Sequence, residues 1–437
     1  MMNLFRVRLL AIALAFGAAH TFGQFTWTKD ARNPVFSGVE GTWSAHVFSP
    51  CVLFNPDSAR YEMWFSATLG PQSDPSWRPY SVGFAVSNDG IHWVMYPSPV
   101  LSPSPGAWDS FTTDAPQVLR ENGQYKMWYS SYKGGTSPGY FGYATSPDGI
   151  HWTKYSGNPI FGPGTAAWEA AGPYSCNVVP KQGGYKMWYD GYNLSFTMAK
   201  IGYAESSDGV NWKRDTINNP VLNVGSPNQW DDAVVGVPNV VSIGDSLYMW
   251  YIGNQGGAGG WTGLAVSKDG ITNWKKYPSN PVLVPGGAGT WDAERTCVGT
   301  ALRVGDTLHM WYDGWRKPYT SNQYSIGHAT SPVVVDTTHT AVPEGKGNIP
   351  GAFLLAQNYP NPFNPSTTIR FELPKASQVS LTVYDILGRE VSVLVNERRE
   401  AGVHEVKYDG SNLASGVYFY TLLAGSFVDG KKLLLLK

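Results

Sequence analysis

The chain is short of cysteine and of charge, and no interior apolar run in it is long enough to cross a membrane. Its three cysteines, Cys51, Cys176 and Cys297, are an odd set without metal-ligand spacing. They read as small buried apolar residues rather than a disulfide framework. Charged residues make up 15% of the 437, and the formal net charge is −1. That leaves no electrostatic footprint for nucleic acid or for an anionic membrane surface. No interior stretch approaches the roughly 20 apolar residues of a transmembrane helix. Nothing in the sequence asks for a cofactor or a metal. Aromatic residues are abundant, at 14%, alongside 49 Gly and 31 Pro. This is the composition of a large all-β protein with many turns.

The aromatics are periodic. Met-Trp followed by an aromatic recurs at Met63-Trp64-Phe65, Met127-Trp128-Tyr129, Met187-Trp188-Tyr189, Met249-Trp250-Tyr251 and Met310-Trp311-Tyr312. A fixed period with alternating segments signals a repeat built from small antiparallel sheets. Each unit reads as four strands. Strand A is short and apolar, as in Pro116-Gln117-Val118-Leu119, and strand B carries Met-Trp. Strand C is a segment such as Ile201-Gly202-Tyr203-Ala204. Asp89-Gly90, Asp148-Gly149, Asp208-Gly209 and Asp269-Gly270 follow, and strand D opens on Trp93, Trp152, Trp212 or Trp274. Asp-Gly between alternating runs predicts a type I′ hairpin turn.

The fifth unit lacks its Asp-Gly and its strand D. The match lies at the other end of the chain, where Trp27-Thr28-Lys29 and Asn33-Pro34 repeat Trp152-Thr153-Lys154 and Asn158-Pro159. The expected fold is all-β. It is a five-bladed β-propeller closed by the N-terminal strand, which removes an exposed edge, followed by a small immunoglobulin-like β-sandwich. The boundaries read as a signal peptide over 1–23, propeller over 24–335, linker over 336–352 and C-terminal domain over 353–437. Arg6 and Arg8 ahead of the apolar run Leu9 to Ala19 have the form of a secretory leader. The tail has about seven short strands rich in Val, Leu and Thr.

Strand A descends the axis, so the B–C loops and the segments entering strand A share the top face, and the Asp-Gly turns lie at the bottom. Trp108-Asp109, Trp168-Glu169, Trp230-Asp231 and Trp291-Asp292 recur before strand A, with Trp43-Ser44 as fifth member. Recurrence marks these carboxylates as architecture, and chemistry needs asymmetry. The top-face residues that break the symmetry are His46, Asp114, Tyr174, Asp232, Glu294 and Arg295 near strand A. Asp190 and Asp313 end strand B. Trp77, Arg78, Tyr132, Tyr192, Trp261 and Trp315 lie in B–C loops. Aromatic faces with carboxylates and arginine suit a sugar. Two carboxylates across a cleft would serve glycoside cleavage.

Phrases such as Ile201-Gly202-Tyr203-Ala204-Glu205-Ser206-Ser207-Asp208-Gly209 and Asp114-Ala115-Pro116-Gln117-Val118 resemble the five-bladed glycosidase superfamily that includes glycoside hydrolase families 32, 43 and 130. In family 43 the acids stand just before strand A. The corresponding positions here hold Ser49, Ser175 and Gly236, and only Asp114 supplies an acid. The resemblance therefore puts Asp114 first, with Asp232 and Glu294 as candidates for its catalytic partner and Asp190 and Asp313 behind them. The remaining symmetry breakers would bind an oligo- or polysaccharide. A non-catalytic carbohydrate-binding propeller and a surface adhesion protein are the alternatives.

Asn358-Tyr359-Pro360-Asn361-Pro362-Phe363-Asn364-Pro365, then Tyr384-Asp385-Ile386-Leu387-Gly388-Arg389, then Leu413-Ala414-Ser415-Gly416-Val417-Tyr418, resemble the C-terminal sorting domain of type IX secretion cargo. This implies the type IX machinery as a partner, and a secreted or surface location.

Overall fold

The computed structural model describes residues 25–69, 79–132, 137–256, 259–304, 306–316, 324–333, 353–358, 360–386, 388–425 and 427–436. The expected leader and linker fall outside them. Among the described residues no helix is long and apolar enough to cross a membrane.

Two short strands come first, β1 (Thr28–Lys29) and β2 (Phe36–Ser37). Blade 1 is β3 (His46–Asn55), β4 (Arg60–Thr68), β5 (Ser81–Ser87) and β6 (Trp93–Met95). Blade 2 is β7 (Asp114–Glu121), β8 (Gln124–Ser131), β9 (Tyr140–Ser146) and β10 (Thr153–Lys154). Blade 3 is β11 (Gly172–Lys181), β12 (Gly184–Tyr192), β13 (Ala199–Ser206) and β14 (Trp212–Arg214). Blade 4 is β15 (Val234–Ile243), β16 (Ser246–Asn254), β17 (Trp261–Ser267) and β18 (Lys275–Lys276). Blade 5 is β19 (Cys297–Val304), β20 (Thr307–Gly314) and β21 (Ser325–Pro332). The outer strand of blade 5 is β1, antiparallel to β21 with Thr28 opposite Thr330 and Lys29 opposite Ala329. The innermost strands follow one another round the axis, β3 to β7 to β11 to β15 to β19, and β19 packs back on β3.

The Met-Trp repeat makes the blade contacts. Alternation sends Met and the tyrosines to one face of the strand and Trp to the other. Each Trp enters the core of the following blade: Trp64 joins Met127, Trp128 joins Met187, Trp188 joins Met249, Trp250 joins Met310, and Trp311 joins Met63. These five indoles are fully buried. Removing one to alanine would cost roughly 3–5 kcal/mol.

The indole N–H groups show why Asp-Gly recurs. Trp64 donates to Gly149 O, Trp128 to Gly209 O, Trp188 to Gly270 O and Trp311 to Gly90 O, at 2.7–2.8 Å. The turn itself differs from expectation. Ser87 pairs with Trp93 and Ser206 with Trp212, so the loops are too long for a two-residue type I′ turn. Positive φ occurs at Gly90, Gly149, Gly209 and Gly270 but not at the preceding aspartates. Each Asp instead accepts the two backbone amides that follow the glycine, as Asp89 Oδ1 does from Ile91 and His92. These bonds hold Asp89, Asp148, Asp208 and Asp269 well below the usual carboxylate range, against the opposing effect of burial.

The Trp-Asp/Glu carboxylates are a second repeated lock. In four blades the carboxylate takes a strand-B tyrosine and a strand-D cation. Tyr129 and Lys154 meet Asp109, Tyr189 and Arg214 meet Glu169, Tyr251 and Lys276 meet Asp231, and Tyr312 and Lys29 meet Asp292, all within 2.5–3.2 Å. Blade 1 exchanges all three members at once: Phe65 and Met95 pack in an apolar cluster with Trp43, and Ser44 pairs its hydroxyl with that of Thr42 at 3.1 Å. Replacing a buried polar set as a whole avoids leaving any member unpaired.

The C-terminal domain has seven strands in two sheets. One holds β22 (Leu354–Leu355), β23 (Ser366–Leu373) and β26 (Gly402–Asp409). The other holds β24 (Ser377–Tyr384), β25 (Glu390–Arg399), β27 (Gly416–Ala424) and β28 (Phe427–Leu435). Ile369, Phe371 and Leu373 alternate inward to meet Val379, Leu381, Val383, Tyr420 and Leu422.

Candidate functional site

The top of the axis is built on bulges. Strand A departs from regular register after Phe48, Asp114, Pro173, Gly236 and Val298, one break in every blade. In three of them the bulged residue is in the left-handed region without being glycine: Ser49 at φ 48°, Ala115 at 46° and Val237 at 48°. Such backbone costs energy and persists where the surroundings hold it. Here the hold comes from the preceding blade. The amide of Ser49 donates to Asp313 Oδ1 at 3.2 Å, that of Ala115 to Ser66 Oγ at 2.9 Å, and that of Val237 to Asp190 Oδ2 at 3.1 Å.

Asp190 and Asp313 thus hold equivalent places in their blades and share one structural task, although the sequence marked both as symmetry breakers. Ser66 occupies the same place in blade 1. It was not singled out, yet all three directly follow the aromatic residue of the Met-Trp motif.

Asp114 opens β7. Its Oδ1 accepts the hydroxyl of Ser66 at 2.5 Å and the amide of Ala115 at 2.7 Å. Burial pushes its carboxyl up to about 6, the charge of Asp313 adds to the rise, and the two hydrogen bonds and Arg295 oppose it. Asp313 is fully buried with its Oδ2 2.9 Å from Arg295 Nε. Burial raises Asp313 as well, against the pull of Arg295. The same burial acts on Arg295, but the carboxylate of Asp313 outweighs it and keeps the guanidinium charged. Asp190 is saturated: it takes the amides of Tyr174, Ser175 and Val237 and the hydroxyl of Ser175, at 2.6–3.1 Å.

Around these groups lies an aromatic wall of Phe48, Tyr80, Tyr132, Trp315 and Tyr324, with Tyr174 against it. Phe48, Tyr80 and Tyr324 had no mark in the sequence, because each is an ordinary strand-end aromatic. Tyr132 lies 5.3 Å from Tyr174, and Tyr174 lies 5.1 Å from Tyr192. Trp315 is 0% exposed, so its ring is wall rather than an open stacking platform. His46 opens β3, buried beside Tyr324, with burial lowering its pKa so that it is neutral at pH 7. Its Nδ1 has no hydrogen-bond partner.

Three predicted residues fall elsewhere. Asp232 turns back on its own loop and accepts the amide of Asn228 at 2.6 Å. Glu294 and Trp261 line a cleft of about 180 Å³ at the head of β17, the third strand out from the axis. Trp77 and Arg78 lie outside the described residues. The structure therefore gathers Asp114, Asp190, Asp313, Arg295, His46, Tyr132, Tyr174, Tyr192 and Trp315 at the axial mouth.

Comparison of this architecture with solved structures gives close agreement in shape. A glycoside hydrolase matches with a TM-score of 0.55 at 19% identity, over 68% of this chain and 90% of the other. A member of the GH130 family, described as mannoside phosphorylases with glycoside hydrolases that target β-1,2 mannosidic linkages in Candida mannan, matches at 0.56 and 18%, over 71% and 94%. The β-1,2-mannobiose phosphorylase of Listeria innocua matches at 0.55 and 15%, over 70% and 97%. The fold is that of the propeller glycosidases. In sequence, 194 residues are 32% identical to the uncharacterized protein Rv1502 of Mycobacterium tuberculosis strain ATCC 25618 / H37Rv, over 43% of this chain. The chain spans 60% of the length of that curated relative. Residues 357–435 match the family described as secretion system C-terminal sorting domain. This domain marks type IX secretion, which places the protein at the cell surface or outside the cell.

Proposed function

We propose that this is a glycan-active protein, a glycoside hydrolase whose chemistry sits at the axial mouth of the propeller. The observation that carries the proposal is the unequal pair Asp114 and Asp313. Asp114 is half-buried, and its burial raises the carboxyl to about 6, which suits a general acid. Asp313 faces the fixed charge of Arg295, which suits an anion that stabilises positive charge developing on a sugar ring. The aromatic wall excludes water from the reacting bond. Asp232 bonds its own loop and Glu294 lines the cleft at β17, so neither is supported as the partner of Asp114. The export domain brings the protein to extracellular polysaccharide, and a leader over 1–23 would take it through the inner membrane.

One observation favours a second reading. Asp190 and Asp313 both spend hydrogen-bonding capacity on neighbouring bulges. A basin whose carboxyls are committed in this way could bind a sugar without cleaving it.

The experiment is a screen of the purified protein, and of its Asp114→Asn variant, against plant, algal and mannan oligosaccharides including β-1,2-mannobiose. Turnover that falls at least about a hundredfold in the folded variant supports the hydrolase. Binding without turnover, weakened in the variant, supports the second reading. Neither binding nor turnover overturns both.

A further inference from the structure

Trp261 and Glu294 each depart from the repeat, and the fold brings them to one place away from the axis. Trp261 pairs with Gly253, three residues beyond Trp250. The same register position holds Ser81 opposite Ala67, Tyr140 opposite Ser131, Lys200 opposite Gly191 and Ser325 opposite Gly314. Only blade 4 has an indole there. It lies parallel to Trp230, with centroids 6.4 Å apart and planes 7° apart, whereas Tyr140 meets Trp108 edge-on at 74°. Trp261 is 39% exposed, so part of its indole stays open to solvent beside the contact with Trp230. Glu294 stands three residues after Trp291. The residues three beyond Trp108, Trp168 and Trp230 are Phe111, Ala171 and Ala233. No other blade offers an acid there.

We propose that the cleft between Trp261 and Glu294 is a second saccharide-binding site, distinct from the axial mouth. The choice of ligand class rests on the glycan reading given above. A flat indole takes the C–H face of a pyranose, and a carboxylate across from it accepts ring hydroxyls. The remaining lining includes Gly253, Gly256, Gly259 and Gly260. Asn254 and Gln255 add side-chain amides to that lining. About 180 Å³ suits one sugar ring rather than a larger ligand. An off-axis site of this kind would hold one end of a polysaccharide while another part entered the mouth. Tethering of that sort raises the local concentration of substrate without new catalytic groups.

The test uses the full exported chain labelled with 5-fluorotryptophan. The Trp261 resonance is assigned by its loss in Trp261→Phe, and β-1,2-mannobiose, cellobiose, xylobiose and laminaribiose are titrated in turn. At least one should shift the Trp261 resonance saturably, equally well in Asp114→Asn, and Glu294→Gln should weaken that binding about tenfold. A Trp261 shift that vanishes in Asp114→Asn would make the cleft part of the axial site and overturn its independence. Shifts or turnover from other residues with Trp261 unmoved would overturn the second site while leaving the axial reading intact. Silence of every resonance with all four sugars would count against both.

Discussion

Ser66 of blade 1 donates its hydroxyl to Asp114 of blade 2 across 2.5 Å, and the same oxygen of Ser66 receives the amide of Ala115 at 2.9 Å. One side chain thus fixes the strained bulge and tunes the half-buried acid. A hydrogen bond to the ionised form favours ionisation. Ser66→Ala should therefore raise the pKa of Asp114 above its value of about 6. If protonated Asp114 is the general acid, the basic limb of the kcat/KM profile moves to higher pH in the variant. A limb that stays put or moves lower would refute the role of Ser66.

Trp188 and Trp250 are equivalent in packing but not in bonding. Trp188 donates to Gly270 O at 2.7 Å, while among the described residues Trp250 Nε1 has no partner, and the following blade is the one without an Asp-Gly turn after its third strand. Phe25 and Trp27 cover Trp250 edge-on instead. Trp188→Phe should cost about 1 kcal/mol more than Trp250→Phe, the worth of one hydrogen bond. Urea midpoints of the two variants give the comparison. Equal costs would mean that the indole bonds contribute nothing.

Asp109 is buried, Lys154 reaches it at 2.5 Å and Tyr129 at 3.1 Å. Asp109→Ser alone should destabilise by about 2 kcal/mol, since it takes the anion from Lys154 and the acceptor from Tyr129 while leaving Lys154 its bonds to Ser102 O and Ser104 Oγ. Adding Tyr129→Phe and Lys154→Met copies the set found in blade 1 and should recover at least about 1 kcal/mol. Thermal denaturation of the single and triple variants decides it. A triple variant worse than the single one would show that blade 1 depends on further neighbours.

His328 ties the chain ends to pH. It is buried, 3.0 Å from His309 and 3.6 Å from Asp30 of the N-terminal turn. Burial lowers its pKa to about 4 from an ordinary 6.5, His309 adds to the fall, and Asp30 opposes it. Between those values the unfolded chain holds a proton that the folded chain does not. Stability is therefore full above pH 6.5 and is lost as pH falls toward 4. In His328→Gln that loss should be smaller, read as a shallower dependence of urea stability on pH. An unchanged slope would place the titration elsewhere.

The sequence by itself determined the architecture. The Met-Trp period, the four Asp-Gly turns after strand C and the match of Trp27-Thr28-Lys29 to a strand D are local patterns, set by strand alternation and by turn chemistry along a few residues. The structural part of Asp109, Glu169, Asp231 and Asp292 was legible for the same reason, since four blades repeat it. Tyr359 to Pro365 and the strands that follow carried the export domain in plain text. Only the tertiary structure decided which of the candidate residues come together. Asp114 meets Ser66 and Asp313 meets Arg295 across 48 and 18 positions of sequence, and Trp261 and Glu294 line one cleft. The first of these depends on a bulge that turns strand A toward the preceding blade, and burial sets which carboxyl keeps its proton. Neither is a property of a residue and its neighbours in the chain. Asymmetry alone therefore could not show that Asp190 and Asp313 each hold a bulge of the following blade, or that Asp114 shares one oxygen between Ser66 and Ala115.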